Sequence, residues 1–264
     1  KILRKRRYSN IWWWIMSGSF PAFNNRLPDP NWGINEAGDG HASAYVEGPG
    51  FASVSIESNQ PVAFTRTNSG RATTRSIAGH NWRIKITYNP MTRAQFEPIY
   101  SFLQERRGRL KAFEVVVPQY DSPQTAIAVT SGTQLLIDGN ILAGATNFKA
   151  KNHSHTSNGS LKPGDMFNFT DPVNSNHKKV YQVTRVLNNA DYLSGGTRPA
   201  ADERIYYVTP SIEKAVTDTA NSATPKLVTT NPVFRVIQSA DVVSYSLNTN
   251  NLYEFSLSLE EIQP

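Results

Sequence analysis

RSIAGHNWRIKITYNPMTRAQFEPIYSFLQERRGRLKAFEVVVP, residues 75–118, is the stretch from which the fold is read. Trp82, Ile84, Ile86 and Tyr88 alternate with Arg83, Lys85 and Thr87. Period-two alternation predicts a strand with one buried face and one that meets solvent or a partner. The alternation extends back through Arg71, Thr73, Arg75 and Ile77, with a turn or bulge expected at Gly79-His80-Asn81. Asn89-Pro90 ends the strand, and Thr92 followed by Gln95 has the form of a capping box that opens a helix over about 92–107. Phe96, Ile99, Tyr100 and Leu103 recur at the spacing of one helix face. Arg106 and Arg107 sit where positive charge suits the helix dipole, and Gly108 suits the left-handed exit. Pro98 lies beyond the first turn and predicts a kink. Phe113–Val117 is a second β-prone run, stopped by Pro118.

Outward from this stretch the chain stays β-rich. Upstream, residues 17–50 are Pro-, Gly- and Asn-rich turns with a brief extended piece at Ala44-Tyr45-Val46, and a strand that Pro61 interrupts follows within 52–64. Downstream, Gly- and Asn-rich connectors alternate with short strands at 166–169, 179–184 and 204–209, and a linker spans 217–230. Long alternation returns at 233–236, 242–247 and 252–259. The economical reading is a mainly β protein. Residues 17–120 and 233–264 form one β domain with a flanking helix, and 121–232 form an inserted small β-barrel or sandwich. The last strand is expected to pair with the 71–88 segment.

Composition narrows function. Apolar residues make up 39% and charged residues 18% of the 264, which suits sheets with polar turns better than helical bundles. With no cysteine, the chain has no disulfide, thiolate metal site or cysteine nucleophile. The net charge of +6 misleads, because Lys1, Arg4, Lys5, Arg6 and Arg7 supply five positive charges. Without them 22 basic stand against 21 acidic side chains. The body is nearly neutral and shows no basic stripe for sequence-specific nucleic-acid binding. Trp12, Trp13 and Trp14 with Ile15 make too short an apolar run for a signal peptide or a transmembrane span. Residues 1–16 read as a docking arm onto a neighbouring surface, with an interfacial membrane anchor as the other reading. Met16-Ser17-Gly18 also has the form of a start site, which would make the leader dispensable.

No chemistry-bearing motif emerges. Gly38-Asp39-Gly40 and Gly48-Pro49-Gly50 lack the strand-to-helix setting and the lysine of a phosphate loop. There is no G-x-S-x-G, no H-E-x-x-H and no paired-carboxylate spacing. His153-Ser154-His155 puts two histidines on one side of an extended segment, but its Asn- and Gly-rich surroundings favour a solvated loop over a metal site. Trp82-Arg83 and Tyr206-Tyr207 suit either core packing or a stacking platform for a glycan. The chain is read as a non-enzyme without cofactor or metal.

Three pieces resemble the core signature of phage distal tail and minor tail-tip proteins. They are the strand Trp82-Arg83-Ile84-Lys85-Ile86-Thr87-Tyr88, the helix end Phe102-Leu103-Gln104-Glu105-Arg106-Arg107-Gly108, and Phe113 in the strand that follows. The closing stretch, Asp241–Ser246 through Leu252–Ile262, is similar to that family's C-terminal strand pair. The likeness implies a tail-tube-like β-sandwich with a flanking helix, arranged as a ring of usually six copies. It implies attachment to the tail tube on one side and to the hub or baseplate on the other. Insertions in such proteins face fibres, baseplate parts or host glycans, so 121–232 is expected to do so here. Arg71, Arg75, Arg83, Lys85, Arg106 and Arg107 are then the candidate subunit or lumen interface, and Trp12–Trp14 the arm that reaches a neighbour. The expected location is the virion tail tip, with assembly in the host cytoplasm. A carbohydrate-binding module is the first rival, and a cell-wall-degrading tip enzyme is the second.

Overall fold

The computed structural model describes residues 25–30, 32–34, 40–41, 49–76, 79–127, 129, 134–153, 159–174, 177–188, 202–218 and 225–262. In chain order the strands are β1 (Gly33–Ile34), β2 (Gly40–His41), β3 (Phe51–Asn59), β4 (Val62–Arg66), β5 (Ala72–Ser76) and β6 (Asn81–Tyr88). Helix α1 (Arg93–Arg106), β7 (Phe113–Val116), β8 (Leu136–Ile137) and β9 (Asn147–Lys151) follow. Then come β10 (Met166–Thr170), β11 (Tyr181–Leu187), β12 (Arg204–Thr209) and β13 (Lys226–Val228). The chain closes with β14 (Val233–Gln238), β15 (Tyr245–Leu247) and β16 (Tyr253–Glu261).

One large sheet has the order β3-β6-β16-β14-β7, with β15 added on β16. Ser256, Ser258 and Glu260 of β16 stand opposite Thr87, Lys85 and Arg83, so the last strand does pair with the 81–88 strand. Trp82, Ile84, Ile86 and Tyr88 are buried, while Arg83 and Lys85 are exposed, as the alternation requires. Helix α1 lies over the buried face. Phe96, Ile99, Phe102 and Leu103 share one core with Phe113, Phe234, Phe255 and Leu257. Phe96 stacks on Tyr253 with ring centroids 4.6 Å apart, and Phe102 meets Phe113 edge-on at 5.4 Å. The Gln238 side-chain amide donates to the Leu103 carbonyl at 3.2 Å and ties the helix to β14.

The sheet curls on itself. Gln119 directly follows the β7 side of the sheet, yet its amide donates to the Val54 carbonyl of β3, the strand at the opposite edge, at 2.9 Å. Where two stacked sheets were expected, the described residues form this single curled sheet with a helix on its face.

Strands β8–β13 lie in the chain between β7 and β14 and close a separate barrel of order β10-β11-β12-β9-β8-β13. Its core holds Phe148, Phe167, Phe169, Tyr181, Tyr206 and Leu227, among others. Closure depends on β8 and β13, which meet at Lys226 and Leu136. The expected linker 217–230 therefore contains a barrel strand.

Several local expectations change in detail. The 71–88 segment is two strands in different sheets: β5 pairs with β4 as a hairpin, and only β6 enters the large sheet. Pro98 does not divide α1, which is one helix from Arg93 to Arg106. The amide that Pro98 lacks would bond to Ala94, which is exposed in the first turn, so little is lost there. The Gln95 side-chain oxygen accepts from the Thr92 backbone N–H at 3.1 Å, closing the capping box. At the other end both Arg107 (φ 54°) and Gly108 (φ 63°) are left-handed. A Cβ at Gly108 would stand 3.1 Å from the Asp241 backbone, a second reason for glycine there. Val242 and Val243 precede β15 rather than belonging to it. Ala44-Tyr45-Val46, Ile77 and residues 1–24 lie outside the described residues.

Candidate functional site

Three features of the fold bear on function: a buried joint between sheet and barrel, a polar outer face, and strand edges that have no partner among the described residues. The joint is built by the start of β6, the end of β16 and the segment entering β11. Lys179 is fully buried and donates to the Glu261 carboxylate and, at 2.7 Å, to the His80 carbonyl. The same carboxylate accepts from the backbone N–H groups of Val180 (3.1 Å) and Trp82 (3.3 Å). The Trp82 indole N–H returns a bond to the Val180 carbonyl at 3.0 Å. A buried carboxylate thus has three donors on it, which offsets the cost of taking the pair out of water. Burial still pushes the Glu261 carboxyl above its ordinary range, against the pull of Lys179. His80 is driven down to about 4, first by burial and then by the Lys179 charge. Beside this node Lys178 pairs with Glu114 of β7 at 2.5 Å. Val180 and Met166, although they belong to the barrel half of the chain, lie in the sheet core. The Trp82 indole is consumed here, so Trp82-Arg83 is no exposed stacking platform.

The outer face of the sheet is polar across strands β3, β6 and β16. Register sets Ser53, Thr87 and Ser256 in one cross-strand row, and Ser55, Lys85 and Ser258 in the next. Glu57, Arg83 and Glu260 form the third, with Arg83 4.0 Å from Glu260. Small hydroxyls and charges of both signs alternate, and cross-strand opposite charges are mildly favourable. The candidate residues Arg83 and Lys85 stand on this face. Arg71 and Arg75 are exposed on the β4–β5 hairpin, away from it. Arg107 is exposed at the helix exit. Arg106 is not available to a neighbour: it is buried, its guanidinium lies 4.7 Å from the Phe102 ring centroid, and it donates to Asn25 at 3.2 Å. It anchors the helix end to the segment that bonds along β7 through Leu27 and Glu114. Trp12, Trp13 and Trp14 lie outside the described residues.

The edges were not readable from the sequence. Among the described residues β4 and β5 pair only with each other, and residues 64–75 are exposed on both faces of the ribbon. A lone hairpin is marginal in water unless something covers it. Its loop runs from Thr67 to Arg71, with Gly70 at φ 80° in the left-handed position that such a loop needs. The signal was present in Asn68-Ser69-Gly70 between two Thr-rich runs.

The histidines hold no metal site among the described residues, where no three of His, Cys, Asp and Glu gather to bind an ion. His153 is buried rather than solvated. The Tyr206 hydroxyl accepts from the Leu161 N–H (3.3 Å) and gives its own proton to His153 Nε2 (2.7 Å), leaving Nδ1 to donate to the Asp202 carbonyl (3.1 Å). Burial holds its pKa down to about 4. His177 and Tyr181 repeat the arrangement, with Tyr181 accepting from the Glu213 N–H at 3.1 Å and facing His177 Nε2 at 2.8 Å. Burial lowers His177 too. Both pairs lock barrel loops onto the core. Ser154 and His155 lie outside the described residues. No helix among the described residues is long and apolar enough to cross a membrane.

Comparison with known proteins agrees with a chain of joints and surfaces. A family model described as the N-terminal part of the A domain of distal tail protein pb9 matches residues 38–120, the span that holds β3–β7 and α1. Distal tail protein pb9 of Escherichia phage T5 is 27% identical over 250 residues, covering 89% of this chain and 98% of that protein. The likeness therefore runs through the barrel as well as the sheet. Over most of its length, and through a family model across the sheet and helix, the chain is similar to a phage distal tail protein.

Proposed function

We propose that identical copies of the chain, six in the simplest case, form a ring that joins the tail tube to the tip, hub or baseplate. In this reading residues 17–120 and 233–264 form the ring body, a tail-tube-like β fold, and 121–232 form an inserted domain that faces outward. The observation that carries it is the β4–β5 hairpin, which has no strand partner among the described residues: a ribbon exposed on both faces, with Val62 and Phe64 more than half exposed. A chain that worked alone would have no use for such a ribbon, whereas a ring needs each copy to reach the next. The hydroxyl-rich outer face with Arg83 and Lys85 suits a lumen through which a polyanion passes without sticking, since Glu57 and Glu260 balance the two cations. Arg71, Arg75 and Arg107 belong to contacts between copies or with tube and tip proteins, and Trp12–Trp14 to an arm docked on a neighbour. Depleting the protein during assembly tests the reading. Tubes that lack tips are expected, and intact tails with normal tips would overturn it.

A second reading, glycan capture by the inserted barrel, has one observation in its favour. Tyr207 lies on the barrel exterior side of β12, with the Arg185 guanidinium 5.6 Å from its ring centroid. A ring face beside a cation suits stacking on a sugar. Glycan titration of the intact protein by NMR, with Tyr207→Ala as control, tests it: shifts at Tyr207 support capture, and their absence removes the reading.

A further inference from the structure

Two strand edges on opposite flanks of the large sheet stand without partners among the described residues, and their chemistry matches. Strand β4 has β5 on one side and nothing on the other among the described residues, and β15 likewise has only β16. The flanks are opposite. The hairpin issues from β3, the strand beyond β6. Tyr253 of β16 exchanges both backbone bonds with Met91 on the β6 side, at 2.8 and 2.9 Å, so β15 lies on the other side of β16. Each edge carries two exposed apolar side chains at i and i+2. These are Val62 (54%) and Phe64 (59%) on β4, and Tyr245 (47%) and Leu247 (51%) on β15. The charges are complementary as well. Residues 62–76 contain Arg66, Arg71 and Arg75 and no acid, whereas 239–254 contain Asp241 and Glu254 and no base. Beside β15 a hollow of about 540 Å³, lined by Thr87, Pro90, Ser244, Tyr245 and Glu254, is wide enough for an aromatic side chain.

We propose that β4 of one copy adds as a strand to the β15 edge of the next, so that the hairpin of each copy extends the large sheet of its neighbour. This inference rests on the ring reading. Antiparallel addition sets Val62 opposite Leu247 and Phe64 opposite Tyr245, bringing the four exposed apolar groups together. The arginines of the hairpin then lie along the acidic flank, which steers the copies into one orientation. The contact uses different surfaces on its two sides, so it is head-to-tail, and rotation about one axis closes it into a ring. The β3 edge is the poorer acceptor, because the Gln119 side chain already occupies the Val54 carbonyl there.

The absence of native cysteine makes crosslinking clean. Tails are assembled from an equal mixture of Val62→Cys and Leu247→Cys chains and then mildly oxidised. A two-chain product that neither variant gives alone is expected. Phe64→Cys mixed with Tyr245→Cys is the second pair, for the case in which the change at Val62 disturbs the ribbon. Tails that carry a ring of copies but give no mixed product with either pair overturn the strand addition and leave the ring reading standing. Products from single variants, joining like residues, overturn it in favour of a two-fold contact. Tails without repeated copies overturn both.

Discussion

His153 shows how a polar side chain in a polar stretch becomes a core element. Its neutral ring accepts the Tyr206 proton inside the barrel, and burial holds its pKa near 4 instead of 6.5. Because the folded value is the lower one, the unfolded chain takes up a proton first as pH falls. The stabilisation is complete above about pH 6.5 and is lost progressively down to about pH 4. At ~1.4 kcal/mol per pH unit the loss from this residue is about 3 kcal/mol. His153→Gln keeps an acceptor for Tyr206 without titrating, so urea unfolding between pH 4 and 6.5 is expected to show a shallower pH dependence than the parent. Lys179 gives a second test. Removing one member of a buried pair costs about 3–5 kcal/mol, so Lys179→Met is expected to lower unfolding stability by about that amount. Adding Glu261→Gln to it should recover part of the loss, since the amide oxygen still accepts from Trp82 or Val180. A single-variant loss below about 1 kcal/mol would show the pair to be dispensable. Neither group was legible in the sequence. His153 sits among Asn, Ser and Gly, and Lys179 and Glu261 are 82 positions apart, so no local spacing betrays their meeting.

At the scale of elements, what could be read was what is decided locally. Strand β6 follows from alternation over seven residues, and α1 from a cap, a 3/4 face and a left-handed exit, all within 17 positions. Gln95→Ala opens the capping box and is expected to cost about 1 kcal/mol of stability, measurable by thermal unfolding with assembly unaffected. Elements fixed by distant partners were not readable. Strands β8 and β13, of two and three residues, are strands only because the barrel closes through them. The split of 71–88 between two sheets was hidden because both pieces alternate in the same way. The β4–β5 ribbon is exposed on both faces, so replacing residues 62–76 with a short Gly-Ser link is expected to change the unfolding midpoint little. The same deletion should abolish incorporation into tails, as read by protein content of purified particles. A large drop in the midpoint would place the ribbon in the fold of the single chain instead.

For the whole molecule, the shared core and the Lys179–Glu261 node make sheet and barrel one mechanical unit. The barrel is then held at a fixed attitude to the large sheet. Family likeness was legible from 75–118, because the strand, helix end and aromatic that carry it also build the core, where Trp82, Phe102 and Phe113 are all buried. The placement of the charged candidates was legible only in part: alternation puts Arg83 and Lys85 on the exposed face, whereas Arg106, read as a surface charge, is packed under the helix end. Exposed edges leave no periodic trace, since a strand with a missing partner has the same sequence pattern as one that is paired. The measurement that bears most directly on the central claim is an electron cryo-microscopy map of the intact tail tip. The account predicts a closed ring of identical copies at the end of the tube, with the hairpin of each copy laid along the sheet of the next and the barrels outside. A single copy at the tip, or no density for this chain in the tail, would contradict it.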